Sequence, residues 1–359
     1  MSPPVVHLAS GREWRGGQRQ VWVLARALQR LGVEQVVVTG RDTELATRLR
    51  ASGVPVRTAP WKAGLDPRVL PAALGELRRQ RAILHAHDAH ALTLAGACAW
   101  LTGSPLVATR RVDFPLRRRA FWHRADRVIA ISQAVADVLR RSGVDPERIT
   151  VIHSGISVET TRQAARLDVR RLLGLGPEAR VAANVAALVP HKDQATLVNA
   201  AQRLAHRHPN LHWVLAGEGE LRTALEAQVE ALGLRGRVHL MGHIAGPERL
   251  IADADLFVMS SVEEGLGTSV LDAMALGIPI ASTSAGGLPE MLGGGAGLLV
   301  PARDPGALAD AVAKILESPE LGAKLAEQAR VEVLRFTDER MADEVRSVYR
   351  SCVHSLDGS

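Results

Sequence analysis

Residues 256–282 carry the pattern that decides the fold. Leu256-Phe257-Val258-Met259 is followed by Ser260-Ser261-Val262-Glu263-Glu264-Gly265-Leu266-Gly267, then by Thr268-Ser269-Val270-Leu271-Asp272-Ala273-Met274-Ala275-Leu276, and after Gly277-Ile278 by Pro279-Ile280-Ala281-Ser282. A short apolar run, a glycine-bearing turn, a helix stopped by glycine and a second apolar run make one strand-helix-strand unit. The alternation continues outward. Strands are expected near Val181 to Leu188, Leu211 to Ala216, Val238 to Met241 and Gly297 to Val300, with helices over Ala195 to Ala205 and Leu221 to Leu232. From Asp304 the chain reads as helices only. An earlier series has strands at Val5 to Leu8, Val36 to Val38, Ile83-Leu84, Leu106 to Ala108, Val128 to Ile131 and Thr150 to Ile152. Two such series predict an α/β chain with parallel sheets in two domains, residues 1–165 and 166–337.

Composition narrows the function. With 359 residues, 47% hydrophobic and 23% charged, the chain is excluded from disordered, collagen-like and disulfide-built classes. The net charge of +6 is unevenly spread: residues 1–165 carry 25 basic and 13 acidic side chains (25 − 13 = +12), and 166–359 carry 19 and 25 (19 − 25 = −6). The first half is therefore expected to face phosphate, an anionic acceptor or a membrane surface. Cys98 and Cys352 stand far apart without a CxxC, which fits neither a disulfide framework nor a zinc site and suggests a reducing cytoplasm. No basic n-region precedes the apolar start, so no secretory signal is expected. The uncharged stretch Ala89 to Thr109 contains Gly96, Gly103 and Pro105 and reads as helix, turn and strand rather than a membrane span.

Glycine turns that hand the chain to a helix start present backbone N–H groups to an anion. Three qualify: Gly16-Gly17, Gly217-Glu218-Gly219, and Glu264 to Ser269. None matches GxGxxG or the P-loop, and each glycine pair also has the plainer reading of a tight turn. At the third, helix-start amides between Glu264 and Asp272 would grip a diphosphate, with the two carboxylates serving sugar hydroxyls; the plainer reading of the two acids is a helix-start charge and a solvated acid.

Residues 264–279, continued by Ala285-Gly286-Gly287-Leu288-Pro289-Glu290, resemble the donor-site signature of family 4 of the retaining GT-B glycosyltransferases. Supporting stretches are the Gly16-Gly17 loop, Ala130 to Val135, Val151 to Ile156, Ala216 to Gly219 and Met241 to Ile244. The resemblance implies two Rossmann-like domains facing across a cleft, with the last helix, about 338–359, packing back on the N-terminal domain. It implies a nucleoside diphosphate sugar (UDP-, GDP- or ADP-linked) as donor substrate and no cofactor. By motif, Glu264 would bind donor sugar hydroxyls and Asp272 the ribose. Amides of Gly265, Leu266, Gly267, Thr268 and Ser269 and of Gly16 and Gly17 would take the diphosphate, with Gly217 and Gly219 beside it. Lys192 would neutralise the phosphates, and Ile244 would pack near the base.

Three departures stand out. Asp272 replaces a Glu, Ala187 occupies the place of an Arg, and Arg110-Arg111 follow the strand where many members place a His. Arg111 is the candidate for the missing charge, since a guanidinium spans two phosphate oxygens. His85-Ala86-His87-Asp88 offers too few ligands on one face for a metal, so His87 and Arg110 are read as cleft or acceptor lining. Asp253-Ala254-Asp255 resembles the DxD of the other glycosyltransferase fold but reads as capping and solvation, so no metal is required. Arg110, Arg111, Arg117, Arg118, Arg119, Arg124 and Arg127, interleaved with Phe114, Phe121 and Trp122, suit an anionic membrane surface or a solvated basic face.

The resemblance thus implies a retaining, metal-independent glycosyltransferase, cytoplasmic or peripheral at the inner membrane face, acting on a saccharide or lipid-linked acceptor in envelope or glycolipid synthesis, without a specific nucleic acid. A sugar-nucleotide epimerase or hydrolase of the same fold and a non-enzymatic polyanion-binding protein are the alternatives.

Overall fold

A computed structural model describes residues 3–61, 64–79, 82–116 and 121–357, the last five by their backbone. The chain forms two compact units, residues 1–155 with 337–359, and residues 156–336. The sequence reading placed the first division near residue 165. It falls earlier because the helix Val158–Arg162 packs on the helix Thr268–Leu276, and Arg162 Nε donates to Ala275 O at 3.3 Å.

The first unit holds β1 (Val5–Ala9), β2 (Gln35–Gly40), β3 (Val56–Ala59), β4 (Ile83–Ala86), β5 (Leu106–Arg110), β6 (Arg127–Ala130) and β7 (Ile149–Val151) in the order β3-β2-β1-β4-β5-β6-β7. Every pairing is parallel. β1 and β2 are buried along their whole length, as expected of sheets covered on both faces. β3, absent from the sequence reading, is a short edge strand in which Arg57 interrupts the apolar run. Val5, Ile83, Val107 and Ile129 pack with Leu24 and Leu28 of the helix Gly16–Arg30 and with Met341, Val345 and Tyr349 of the helix Asp338–Asp357. Ala89–Thr102 is a helix ended by Gly103 at φ +69°, followed by β5. No helix among the described residues is long and apolar enough to cross a membrane.

The second unit holds β8 (Arg180–Val185), β9 (Leu211–Ala216), β10 (Val238–Gly242), β11 (Leu256–Met259), β12 (Ile280–Thr283) and β13 (Leu298–Val300) in the order β10-β9-β8-β11-β12-β13, again all parallel. Trp213, Leu197, Leu225, Leu308 and Val312 centre its core.

In each unit the first strand is interior. The chain runs outward from it, returns, and lays a later strand on its other side: β4 beside β1, and β11 beside β8. Loops leaving those two strands at their carboxyl ends therefore diverge, which opens a crevice where α/β proteins place ligands.

Candidate functional site

At the β8/β11 crevice of the second unit, the loop after β8 turns through Pro190–Lys192 and stops at Asp193, whose φ of +46° is rare for a residue other than glycine. Asp193 is held there by capping the next helix: its carboxylate accepts from Thr196 N at 3.3 Å and Thr196 Oγ1 at 2.7 Å. That turn aims Lys192 at the loop after β11, where it pairs with Glu264. The side chains are 17% and 10% exposed, so the pair is more than a solvated surface contact. Glu264 also accepts from Ser261 Oγ at 3.1 Å, and Lys192 O accepts from Ser260 Oγ at 2.9 Å. Both loops are further tied by Val262 N donating to His191 O at 2.9 Å.

The helix Thr268–Leu276 starts at Gly267, whose φ of +94° only glycine adopts readily, and no side chain caps it. By contrast, side chains of Thr43, Asp88, Ser132, Asp193, Asp304 and Ser318 cap other helices. Gly265, Leu266 and Gly267 are buried, and Thr268 and Ser269 are partly exposed at the amide-donating end. Asp272 lies inside the helix and is 0% exposed. Gly217 and Gly219 have a packing role: a Cβ on them would meet Ala186 O at 1.9 Å and Leu188 O at 2.2 Å, so both let the turn after β9 lie on the loop after β8. Ala187, where the family pattern has Arg, offers its carbonyl to Gln194 Nε2 at 3.0 Å. Ile244 is half-buried after β10.

At the β1/β4 crevice of the first unit, His7 stands opposite His85 in the strand register, and His87 follows at the end of β4. All three rings are buried. His7 Nδ1 meets His87 Nε2 at 2.9 Å; His85 uses Nδ1 on Tyr349 OH at 2.6 Å and Nε2 on Thr109 Oγ1 at 2.7 Å. The three rings offer ligand atoms within 4.8 Å of one another, where the sequence reading counted two histidines and an aspartate. His7 was missed because only strand pairing brings it in. Asp88 belongs to a different structure: it caps the helix Ala89–Thr102 through Ala91 N at 2.9 Å and holds Ser10 N at 2.8 Å and Ser10 Oγ at 2.5 Å.

Arg111 lies over this cluster. Its Nη2 is 3.3 Å from His87 Nδ1, while Nε and Nη1 are buried without a hydrogen-bond partner. A Cβ on Gly17 would stand 3.9 Å from Arg111 Cδ, so the guanidinium stem runs beside the first turn of the helix Gly16–Arg30, which likewise has no side-chain cap. Burial lowers the Arg111 pKa to about 10, opposed by the field of Asp88, and the side chain stays charged at neutral pH. Arg110 is spent elsewhere, donating to Phe114 O at 2.5 Å and lying 5.4 Å from the Trp122 ring centroid. Arg124 similarly covers Phe121 at 6.0 Å, so aromatic contacts occupy part of the basic segment; Arg117, Arg118 and Arg119 lie outside the described residues.

The Asp253-Ala254-Asp255 reading needs correction. Rather than being solvated, Asp253 accepts from Val169 N at 2.6 Å, and Asp255 accepts from Val181 N at 2.7 Å and binds Arg170 and Arg180 at 2.5 and 2.8 Å. Both acids pin the polar 166–180 segment to the sheet, a long-range role that no local pattern reveals.

Residues 14–160 match the family model described as Glycosyltransferase Family 4, and 167–332 match Glycosyl transferases group 1. The D-inositol 3-phosphate glycosyltransferase of Thermobispora bispora is 30% identical over 93% of this chain and 89% of its own. Among solved structures, Anabaena Alr3699/HepE in complex with UDP-glucose superimposes with a TM-score of 0.85 at 21% identity, covering 97% of this chain and 100% of that one. A glycosyltransferase from Rickettsia africae gives 0.83 at 18% identity, covering all of both chains. Together these give the fold as GT-B.

Burial depresses the pKa of all three imidazoles, His7 to about 3 and His85 and His87 well below their ordinary 6.5; the field of Arg111 adds to each, and for His7 the Gln35 side chain opposes it. Unfolding exposes them to take up protons below pH 6.5, so stability is lost as pH falls through that value. Each should contribute a slope of about 1.4 kcal/mol per pH unit well below 6.5. Thermal melts should show the midpoint falling from pH 6.5 to 5; a flat profile over that window would contradict the buried neutral cluster.

Proposed function

Because the chain belongs to the group 1, family 4 glycosyltransferases, we propose that it moves a sugar from a nucleoside diphosphate sugar to an acceptor hydroxyl with retention at the anomeric carbon. The observation that carries this reading is the meeting of Lys192 and Glu264 beside the uncapped start of the helix Thr268–Leu276. Free helix-start amides bind phosphate, and a lysine neutralises it as a point charge. When the donor enters, Lys192 exchanges Glu264 for a phosphate oxygen, and Glu264 turns to the sugar hydroxyls. Asp272 takes the ribose hydroxyls, a contact that requires the turn above it to part. Gly217 and Gly219 shape the donor floor, and Ile244 lies against the base. In the first unit, the uncapped Gly16-Gly17 helix start and Arg111 offer a second set of anion donors.

Transfer breaks the bond from the anomeric carbon to the β-phosphate oxygen and forms one to the acceptor oxygen on the same face. The acceptor proton goes to the departing phosphate oxygen. Charge therefore grows on the diphosphate, and donors fixed around it act on the transition state.

The acceptor in this reading is a saccharide or a lipid-linked sugar. Trp100 and Leu101, at the end of the apolar helix Ala89–Thr102, are 80% and 58% exposed. Tryptophan is favoured at membrane interfaces, and the cationic first half suits an anionic leaflet.

Three measurements test these assignments. In a panel of UDP-, GDP- and ADP-sugars, the donor at 100 times its Kd should stabilise the chain by about 2.7 kcal/mol. With that donor, Lys192→Ala and Glu264→Ala should each lower transfer about 100-fold or more; unchanged rates for both would sink the assignment, and sugar conversion without acceptor would indicate an epimerase or hydrolase. The chain should also sediment with phosphatidylglycerol-containing vesicles and less so as Trp100→Ser/Leu101→Ser; equal sedimentation of both would remove the membrane reading.

A further inference from the structure

A buried guanidinium with two unpartnered nitrogens needs something to hold it, and the groups that do so are histidines that the transfer chemistry does not use. We propose that His87, backed by His7, is the positioning residue for Arg111, through a chain of hydrogen bonds that runs in one direction only. This rests on the reading of Arg111 as a ligand for a phosphate-bearing substrate.

The direction follows from proton counting. Arginine donates and never accepts, so His87 Nδ1, facing Arg111 Nη2 at 3.3 Å, must carry a lone pair. A neutral imidazole has one N–H, which places the His87 proton on Nε2, where it donates to His7 Nδ1 at 2.9 Å. His7 must then carry its own proton on Nε2. His7 Nε2 is buried without a hydrogen-bond partner; Gln35 beside it donates its Nε2 to Ala25 O at 2.6 Å, keeps its Oε1 buried and unpartnered, and its side chain opposes the lowering of the His7 pKa by burial. The wire follows sheet order, from the loop after β5 to the end of β4 and into β1.

His85 stands beside the wire. Its two nitrogens are committed to Tyr349 and Thr109, and its ring centroid lies 4.1 Å from that of His87, so it fixes the His87 plane without joining the chain. The charged and titratable groups acting on His87 are His85, Arg111 and His7; Asp88 and Tyr349 act in turn on Arg111. Of these only Arg111 is cationic at neutral pH. Protonation of His87 would turn Nδ1 into a donor facing a guanidinium, and the wire would break at its functional end. With Nη2 anchored, the Nε and Nη1 donors are left for an anion, beside the Gly16-Gly17 helix start.

Side-chain geometry supplies a test. Asn in place of His87 keeps an acceptor where Nδ1 stood; Gln keeps a donor where Nε2 stood but removes that acceptor. His87→Gln should lower kcat by ~10- to 100-fold, and His87→Asn should retain most of the activity that His87→Gln loses. Adding His87→Gln to Arg111→Ala should cost little beyond Arg111→Ala alone, since the positioned group is already gone. If Asn and Gln lose equally, or if the losses of His87→Gln and Arg111→Ala multiply, His87 is a structural residue and the proposal is overturned. If His87→Gln is fully active while Arg111→Ala is impaired, the wire fails alone. If Arg111→Ala is itself fully active, the reading of Arg111 as a phosphate ligand fails. Unshifted melting temperatures for the His87 variants confirm that folding is not what the rates report.

Discussion

The order of the parallel strands is the constraint on which the rest depends. A sheet that begins with an interior strand and later places another strand on its free side must send its connections in opposite directions, and the backbone amides and side chains at those carboxyl ends are then left facing a gap. Both units are built this way, at β1/β4 and β8/β11. Lys192 pairs with Glu264 across β8/β11, Arg111 reaches from the loop after β5 to His87 at the end of β4, and each unit has an uncapped helix start nearby. Helix starts left without a side-chain cap, next to a cation, are electrostatically prepared for a phosphate group.

The two cations are held in different ways. Lys192 has a carboxylate partner, so an anion there would have to displace a formed ion pair. Arg111 has a neutral imidazole partner and gives up nothing, because its remaining donors are unspent. A guanidinium keeps its charge under burial that would neutralise an amine, which suits arginine to the drier of the two positions. The surplus of positive charge in residues 1–165 is thus part surface and part site: Arg110 and Arg124 cover aromatic rings, whereas Arg111 is turned inward.

Much of this was legible in the sequence, and the limits have physical causes. Every strand with a continuous apolar run was found; β3 was not, because a four-residue edge strand interrupted by Arg57 has no such run. Glu264 and the helix-start glycines were readable because one local segment carries them. Lys192 came from motif resemblance, and only the fold shows that it reaches Glu264. His7 and Tyr349 were invisible, since strand register and a helix at the far end of the chain bring them to His85 and His87. Asp253 and Asp255 were misread for the same reason: their partners lie about 80 positions away.

The central claim is that the nucleotide sugar is held at the carboxyl ends of β8 and β11. Amide hydrogen exchange with and without a saturating donor sugar nucleotide tests it most directly. Protection should rise at the amides of Gly265 to Ser269 and around Pro190 to Gln194. Saturated binding that leaves both segments unprotected, with the change confined to other parts of the second unit, would contradict the account.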